Sequence, residues 1–264
     1  MNRVSTDHLR LTSYHAIPMK KTFLFLATLF AFGAAGYAQV SVIPKGGLTL
    51  STISRPNNSG FVFENPNVMS LSGFVAGVGF DLPIAGDGFF SVQPELLYIQ
   101  KGYKAEATTD VGFLVQTDSY NYLEVPVLAR INFGSERVKL YVNAGPSFAY
   151  ALNGRFTRNV TLGPLSLSTE GKNVFKEEPE NSIGDDEYLS PKYFSRVDAG
   201  VQFGGGIGLK VGPGAVLLDA RYGMGLTNFF KGNRDNDMPN DDRANVQNRV
   251  FAFTLGYAIP LGGK

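Results

Sequence analysis

From residue 40 to the end, the chain alternates apolar and polar side chains with a period of two, and no stretch carries a convincing helical period. Successive side chains of a strand point to opposite faces, so this alternation marks strands with one apolar face. The clearest case spans 195–210. Val197, Ala199, Val201, Phe203, Ile207 and Leu209 fall on one face, and Arg196, Asp198, Gly200, Gln202, Gly204, Gly206, Gly208 and Lys210 on the other. The same split recurs near 40–51, 73–81, 90–98, 123–133, 139–150, 216–227 and 251–261, which predicts eight strands.

The predicted connections alternate in length. Long ones cover about 53–70, 104–119, 152–193 and 230–248; short ones lie at Asp81–Gly88, Gly134–Arg137 and Gly212-Pro213-Gly214. Such a sequence is expected to form an all-β, eight-stranded antiparallel up-and-down barrel that spans a membrane, with short turns and both termini on the periplasmic side.

Composition indicates which face points inward. The chain has 31 glycines and only 18% charged residues, whereas a soluble domain averages roughly 7% glycine and 25% charge. The glycines crowd the polar faces (Gly200, Gly204, Gly206, Gly208, Gly223, Gly225), as a narrow lumen filled by side chains needs. Tyr98, Tyr120, Tyr122, Tyr150, Phe229, Phe230 and Tyr257 fall near strand ends, where an interfacial girdle belongs. The apolar faces are therefore read as lipid-facing. That puts Glu95, Glu124, Asp198 and Asp219 in the lumen, facing Arg130, Lys139, Arg196, Lys210 and Arg221. Buried charges must pair, so the expectation is a salt-bridge network that plugs the barrel; the alternative is an ion path or titrating gate. Pro94, Pro126 and Pro146 cannot donate to a ladder and are read as lying on the apolar face, at bulges or irregularities.

Ahead of the strands, Met19-Lys20-Lys21, the apolar run Thr22–Phe32 and Gly36-Tyr37-Ala38 read as a secretory signal peptide over 19–38, cleaved after Ala38. Residues 1–18 are read as an extension from an upstream start codon, and 39–264 as the barrel domain.

The chain has no cysteine, and its only histidines, His8 and His15, would leave with the leader. Thiolate chemistry and histidine-based catalysis are excluded for such a mature chain, and no enzymatic activity is expected. Glu95 and Glu124 would make an acid–base pair only if Arg130 or Lys139 left them unneutralised. Asp235, Asp237 and Asp241 have a loosely calcium-like spacing but lack the glycine and glutamate of a calcium loop, and the acidic run 177–187 reads as solvated. Gly204-Gly205-Gly206 precedes no helix, so it is packing and not a phosphate loop. No cofactor is expected, and a net charge of +1 gives no reason for a nucleic-acid partner.

Five segments in order resemble a known family. Val92-Gln93-Pro94-Glu95-Leu96-Leu97-Tyr98 with Gln100-Lys101-Gly102 resembles its PELLY…KG strand, and Tyr122-Leu123-Glu124-Val125-Pro126 its YLEVP strand. Asn143-Ala144-Gly145-Pro146-Ser147, Gly204–Gly208 and Arg221–Asn228 look like its GP, GxG and RY…GLTN strands. The family is the small bacterial "porin family" outer-membrane β-barrel domain, similar to the barrel component of the type IX secretion system. The resemblance implies outer-membrane lipid and lipopolysaccharide around a monomeric barrel, barrel-assembly machinery during insertion, and envelope or secretion proteins as partners. Many such barrels end in an aromatic residue that this machinery reads; since the chain ends Pro260-Leu261-Gly262-Gly263-Lys264, the signal would be Tyr257 or Leu261, set slightly inward. A structural or interaction role through long outer loops is the leading expectation; a narrow pore or a part of a secretion machine is the alternative.

Overall fold

A computed structural model describes residues 40–54, 67–84, 88–109, 112–173, 175, 195–228 and 246–261. The alternating segments form strands β1 (Ser41–Ser54), β2 (Asn67–Pro83), β3 (Phe90–Thr109), β4 (Gly112–Gly134), β5 (Val138–Leu162), β6 (Leu165–Lys172), β7 (Val197–Val211), β8 (Gly214–Gly225) and β9 (Gln247–Pro260). All pairings are antiparallel. The ring runs β1-β2-β3-β4-β5-β7-β8-β9 and closes where β9 pairs β1. Closure leaves no unpaired edge in the ring, the condition for a sheet in lipid.

The faces are arranged as lipid demands. On β1 the outward Leu48 is 68% exposed while the next residue, Thr49, is 0% exposed. Leu255 and Phe253 on β9, Leu218 on β8, Phe203 on β7 and Phe148 on β5 are exposed in the same way. Water would not support so continuous an apolar belt on a soluble monomer. We therefore expect Leu255→Arg, at mid-strand on this belt, to destabilise the folded barrel in lipid vesicles by about 2–4 kcal/mol. A urea midpoint equal to the unmodified protein's would mean that Leu255 does not face lipid.

The strands also depart from expectation. β3, β4 and β5 have 20, 23 and 25 residues, about twice the 9–11 needed to cross a bilayer. The presumed loop 104–119 is thus largely ladder, as is the described first part of 152–193, up to Lys172: β3 and β4 pair up to Thr109↔Gly112, and the outer part of β5 pairs both β4 and β6. β6 lies outside the ring, on β5 residues Arg155–Leu162. The barrel wall therefore continues, at the long-connection end, as a four-stranded sheet of β3, β4, β5 and β6. Its apolar positions gather near the tip, with Ala107, Leu114, Val160 and Leu167 on one rung and Leu162 opposite Leu165, beyond the lipid-facing stripes that period two marks.

The prolines need correction too. The β3–β4 ladder omits the rungs between Pro94↔Val127 and Leu97↔Glu124, and β4–β5 those between Pro126↔Ser147 and Ala129↔Ala144, where Pro146 lies; each resumes in the same register, so the prolines sit at interrupted rungs and not at bulges. Register shifts occur elsewhere, between Ser70 and Val75 on β2 and beside Leu152 on β5. Pro126 shares the parity of Glu124 and Leu128 and is buried inward, not on the apolar face. By the same parity Tyr120 and Tyr122 are interior residues and not part of a girdle. Tyr150 is exposed on the outer face, Tyr98 stacks on Phe74 at 5.5 Å, and Tyr257 donates a hydrogen bond to the Val211 carbonyl. Phe229 and Phe230 lie outside the described residues, as do the leader, the acidic run 177–187 and Asp235, Asp237 and Asp241.

Candidate functional site

The lumen is filled in layers. At the short-turn end Ile43, Tyr141 and Leu217 form an apolar cluster with Ala215 and Ala258 against it. Glycine makes room for Tyr141: a Cβ at Gly206 would collide with its ring and hydroxyl. The Arg130 guanidinium lies 3.7 Å from the Tyr141 ring centroid, which links this layer to the polar one above it.

The first polar network centres on Glu95 of β3. Its carboxylate accepts from Lys45 Nζ on β1 (2.6 Å), from Gln93 Nε2 (2.6 Å), and from Arg221 of β8 through NH1 (2.6 Å) and NH2 (3.0 Å). Two parallel guanidinium bonds are the strong form of this interaction. Arg221 Nε also meets Asp219 Oδ1 at 2.6 Å, and Asp219 accepts from Asn143 of β5 at 3.3 Å. Arg130 donates to Gln93 Oε1 (3.2 Å) and Asn132 Oδ1 (2.8 Å). The second network centres on Lys101 of β3. Its ammonium sits 3.1 Å from both Glu124 of β4 and Asp198 of β7. Gln202 donates to Glu124 (2.6 Å), and Asn248 (2.9 Å) and Thr227 (3.2 Å) donate to Asp198. Within these two networks Lys45, Lys101, Arg130 and Arg221 stand against Glu95, Glu124, Asp198 and Asp219, so their signs balance.

A cavity of about 30 Å³ remains between the two networks, lined by Lys45, Glu95, Lys101, Glu124, Asp198 and Arg221 among others. That is room for about two waters. Toward the long-connection end the filling turns apolar again: Val75, Leu97, Ile99, Tyr103, Ala105, Tyr120, Tyr122, Ala151, Val246 and Val250 form one cluster. Buried Asp118 sits in this cap, accepting hydrogen bonds from Gln116, Tyr120 and Asn173.

The residues expected in the lumen divide into two groups. Glu95, Glu124, Arg130, Asp198, Asp219 and Arg221 are buried there. Lys139 and Lys210 are exposed at the short-turn mouth, because each stands within two residues of its strand's end and has no lumen depth around it. Arg196 precedes β7; its guanidinium lies 5.8 Å from the Tyr150 ring and 5.1 Å from that of Phe175, and it donates to the Ala151 carbonyl. Glu95 and Glu124 are neutralised by Lys45, Arg221 and Lys101, not by Arg130 or Lys139. Both missed lysines had a legible signal: Lys45 shares the parity of Thr49, and Lys101 that of Glu95 three turns of the pleat earlier. Among the described residues no group of acidic or histidine side chains is placed to hold a metal ion.

Residues 35–231 match the family described as outer membrane protein beta-barrel domain. No curated protein matches the chain. Among solved structures it is similar to the outer membrane protein OprG from Pseudomonas aeruginosa, at 11% identity over 86% of this chain and 98% of that one, with a TM-score of 0.44. Neisserial surface protein A is 14% identical over 85% of this chain and 100% of its own, with a TM-score of 0.39. The attachment invasion locus protein Ail of Yersinia pestis is 13% identical over the same shares, with a TM-score of 0.35.

Proposed function

The chain belongs to the outer membrane protein β-barrel domain family, and on that premise we propose that it is a non-conducting, non-enzymatic outer-membrane barrel whose outward sheet does its work by contact with other envelope components. The observation that carries this reading is the layered lumen. A charge-balanced network lies between two apolar clusters, and a hydrated ion would have to break both. Ions cross a pore only where a continuous polar path replaces their water. Short turns and both barrel ends (Ser41 and Pro260, which pair) lie at one mouth, read as periplasmic; the sheet of β3, β4, β5 and β6 then rises on the outer side. The barrel closes within a single chain, which supports a monomer.

Planar-bilayer recording tests this. The purified protein should give no well-resolved openings at neutral pH. Reproducible single-channel steps would overturn the closed-lumen reading in favour of a solute or ion channel. Co-purification of the native protein with envelope proteins, lost when residues 152–193 are deleted, is the expected sign of the contact role.

A further inference from the structure

We propose that Arg155 and Lys172, on the outer face of the protruding sheet, form a binding site for the phosphate groups of lipopolysaccharide lipid A in the surrounding leaflet. The proposal rests on the orientation given above, with the long-connection end outside.

The two cations stand directly opposite each other, Arg155 on β5 and Lys172 on β6. Like charges facing across a ladder repel, and Glu170, the acid of β6 on this face, stands opposite Thr157, diagonal to Arg155. Here neither side chain has an ion pair or hydrogen bond to a described residue, Glu170 included, and both are exposed. Lys104, farther out on the same face, shows the contrast: it is paired with Glu106 at 2.8 Å. The bulge at Leu152 fixes the direction in which Arg155 points. Past it, Gly154 turns inward against the Tyr120 ring, so Arg155 projects outward from the wall.

Height on the barrel supplies the second half of the argument. Below the cations, the outward residues of β4 and β5 are Leu123, Tyr150 and Leu152, all exposed and apolar, the upper margin of the lipid belt. Between belt and cations lies a polar rung in which Asn121 donates to Asn153 at 2.7 Å, and Ser119 faces Arg155 on its other side. An acyl chain against Leu123 and Tyr150 would bring its own headgroup to this level. Arg presents a planar fork matched to phosphate and Lys a point charge, so an Arg–Lys pair fits a phosphorylated glycolipid better than a neutral one.

The test uses the full-length protein folded in detergent micelles and titrated with fluorescent lipid A, with dephosphorylated lipid A and with phosphatidylglycerol. Arg155→Gln with Lys172→Gln should weaken lipid A binding about tenfold or more, since hydrogen bonds to charged groups are being removed. Dephosphorylated lipid A should bind the unmodified protein as weakly, and Lys139→Gln with Lys210→Gln, at the opposite mouth, should change nothing. Folding of each variant is checked by heat-modifiable migration, and Arg155→Lys with Lys172→Arg should keep most of the affinity. Unchanged lipid A binding by the Gln variant, or equal binding of the dephosphorylated lipid, overturns the site. Equally tight, Arg155-dependent binding of phosphatidylglycerol overturns the assignment to lipid A. Orientation is read separately: Ser166→Cys, in a chain with no native cysteine, should react with an impermeant maleimide on intact cells. Failure to label would sink the outward orientation, whereas labelling with indifferent lipid binding would sink only the site.

Discussion

Replacing Glu95 with alanine is expected to cost the barrel about 3–5 kcal/mol, because it removes the shared anion of two buried cations. Lys45 and Arg221 both end on this carboxylate, and its side chain is wholly out of solvent. Arg221 would keep Asp219, but Lys45 would face an empty site with no other acid bonded to it. The expected measurement is a lower urea midpoint in lipid vesicles, followed by the folded and unfolded bands on an unheated gel. Adding Lys45→Met to Glu95→Ala removes the surplus charge, and most of the loss should return. A double variant no more stable than the single one would mean that packing, not charge balance, sets the cost. The unmodified protein's midpoint should also vary little with salt, since buried pairs are poorly screened.

Lys101→Met is expected to have a comparable effect, again about 3–5 kcal/mol, with the sign of the uncompensated charge reversed. Methionine keeps most of the side-chain length, so the change isolates the ammonium. Glu124 and Asp198, from strands on different parts of the ring, would then share a lumen with only neutral donors from Gln202, Asn248 and Thr227. Combining Lys101→Met with Glu124→Gln should recover part of the stability, because one carboxylate and one cation leave together. If the single variant unfolds at the unmodified midpoint, Lys101 does not hold β3, β4 and β7 together in the way the 3.1 Å contacts indicate.

The reach of the sequence is clearest on β3. The parity of Ser91, Gln93 and Glu95 identified its polar face, and that face is the lumen. The lipid-facing stripe ends at Tyr98, and without it nothing in the residue types assigns Lys101, Tyr103 and Ala105, on the same face as Glu95, to the lumen. On β4 the polar residue types misled in the opposite direction. Tyr120 and Tyr122 are tyrosines near a presumed strand end, and an interfacial belt is where such residues commonly sit. Their even numbers, shared with Glu124, place them inside. Lys139 and Lys210 have lumenal parity but no lumenal depth, because parity says which side of the wall a residue takes and not how far along the barrel it lies.

Strand count in the ring, closure, and the inside–outside assignment follow from the sequence alone, because a period of two is a local property of each strand and lipid admits only one way of using it. Which acid meets which base was decided by the tertiary structure. Glu95 lies 50 residues from Lys45 and 126 from Arg221 along the chain, and only the stagger of the closed ladder brings the three to one level. The same holds for the protruding sheet. Its strands lie beyond the lipid-facing stripes, and they exist because β3, β4 and β5 continue each other's hydrogen bonding past the membrane-spanning part, with β6 folding back onto the last of them.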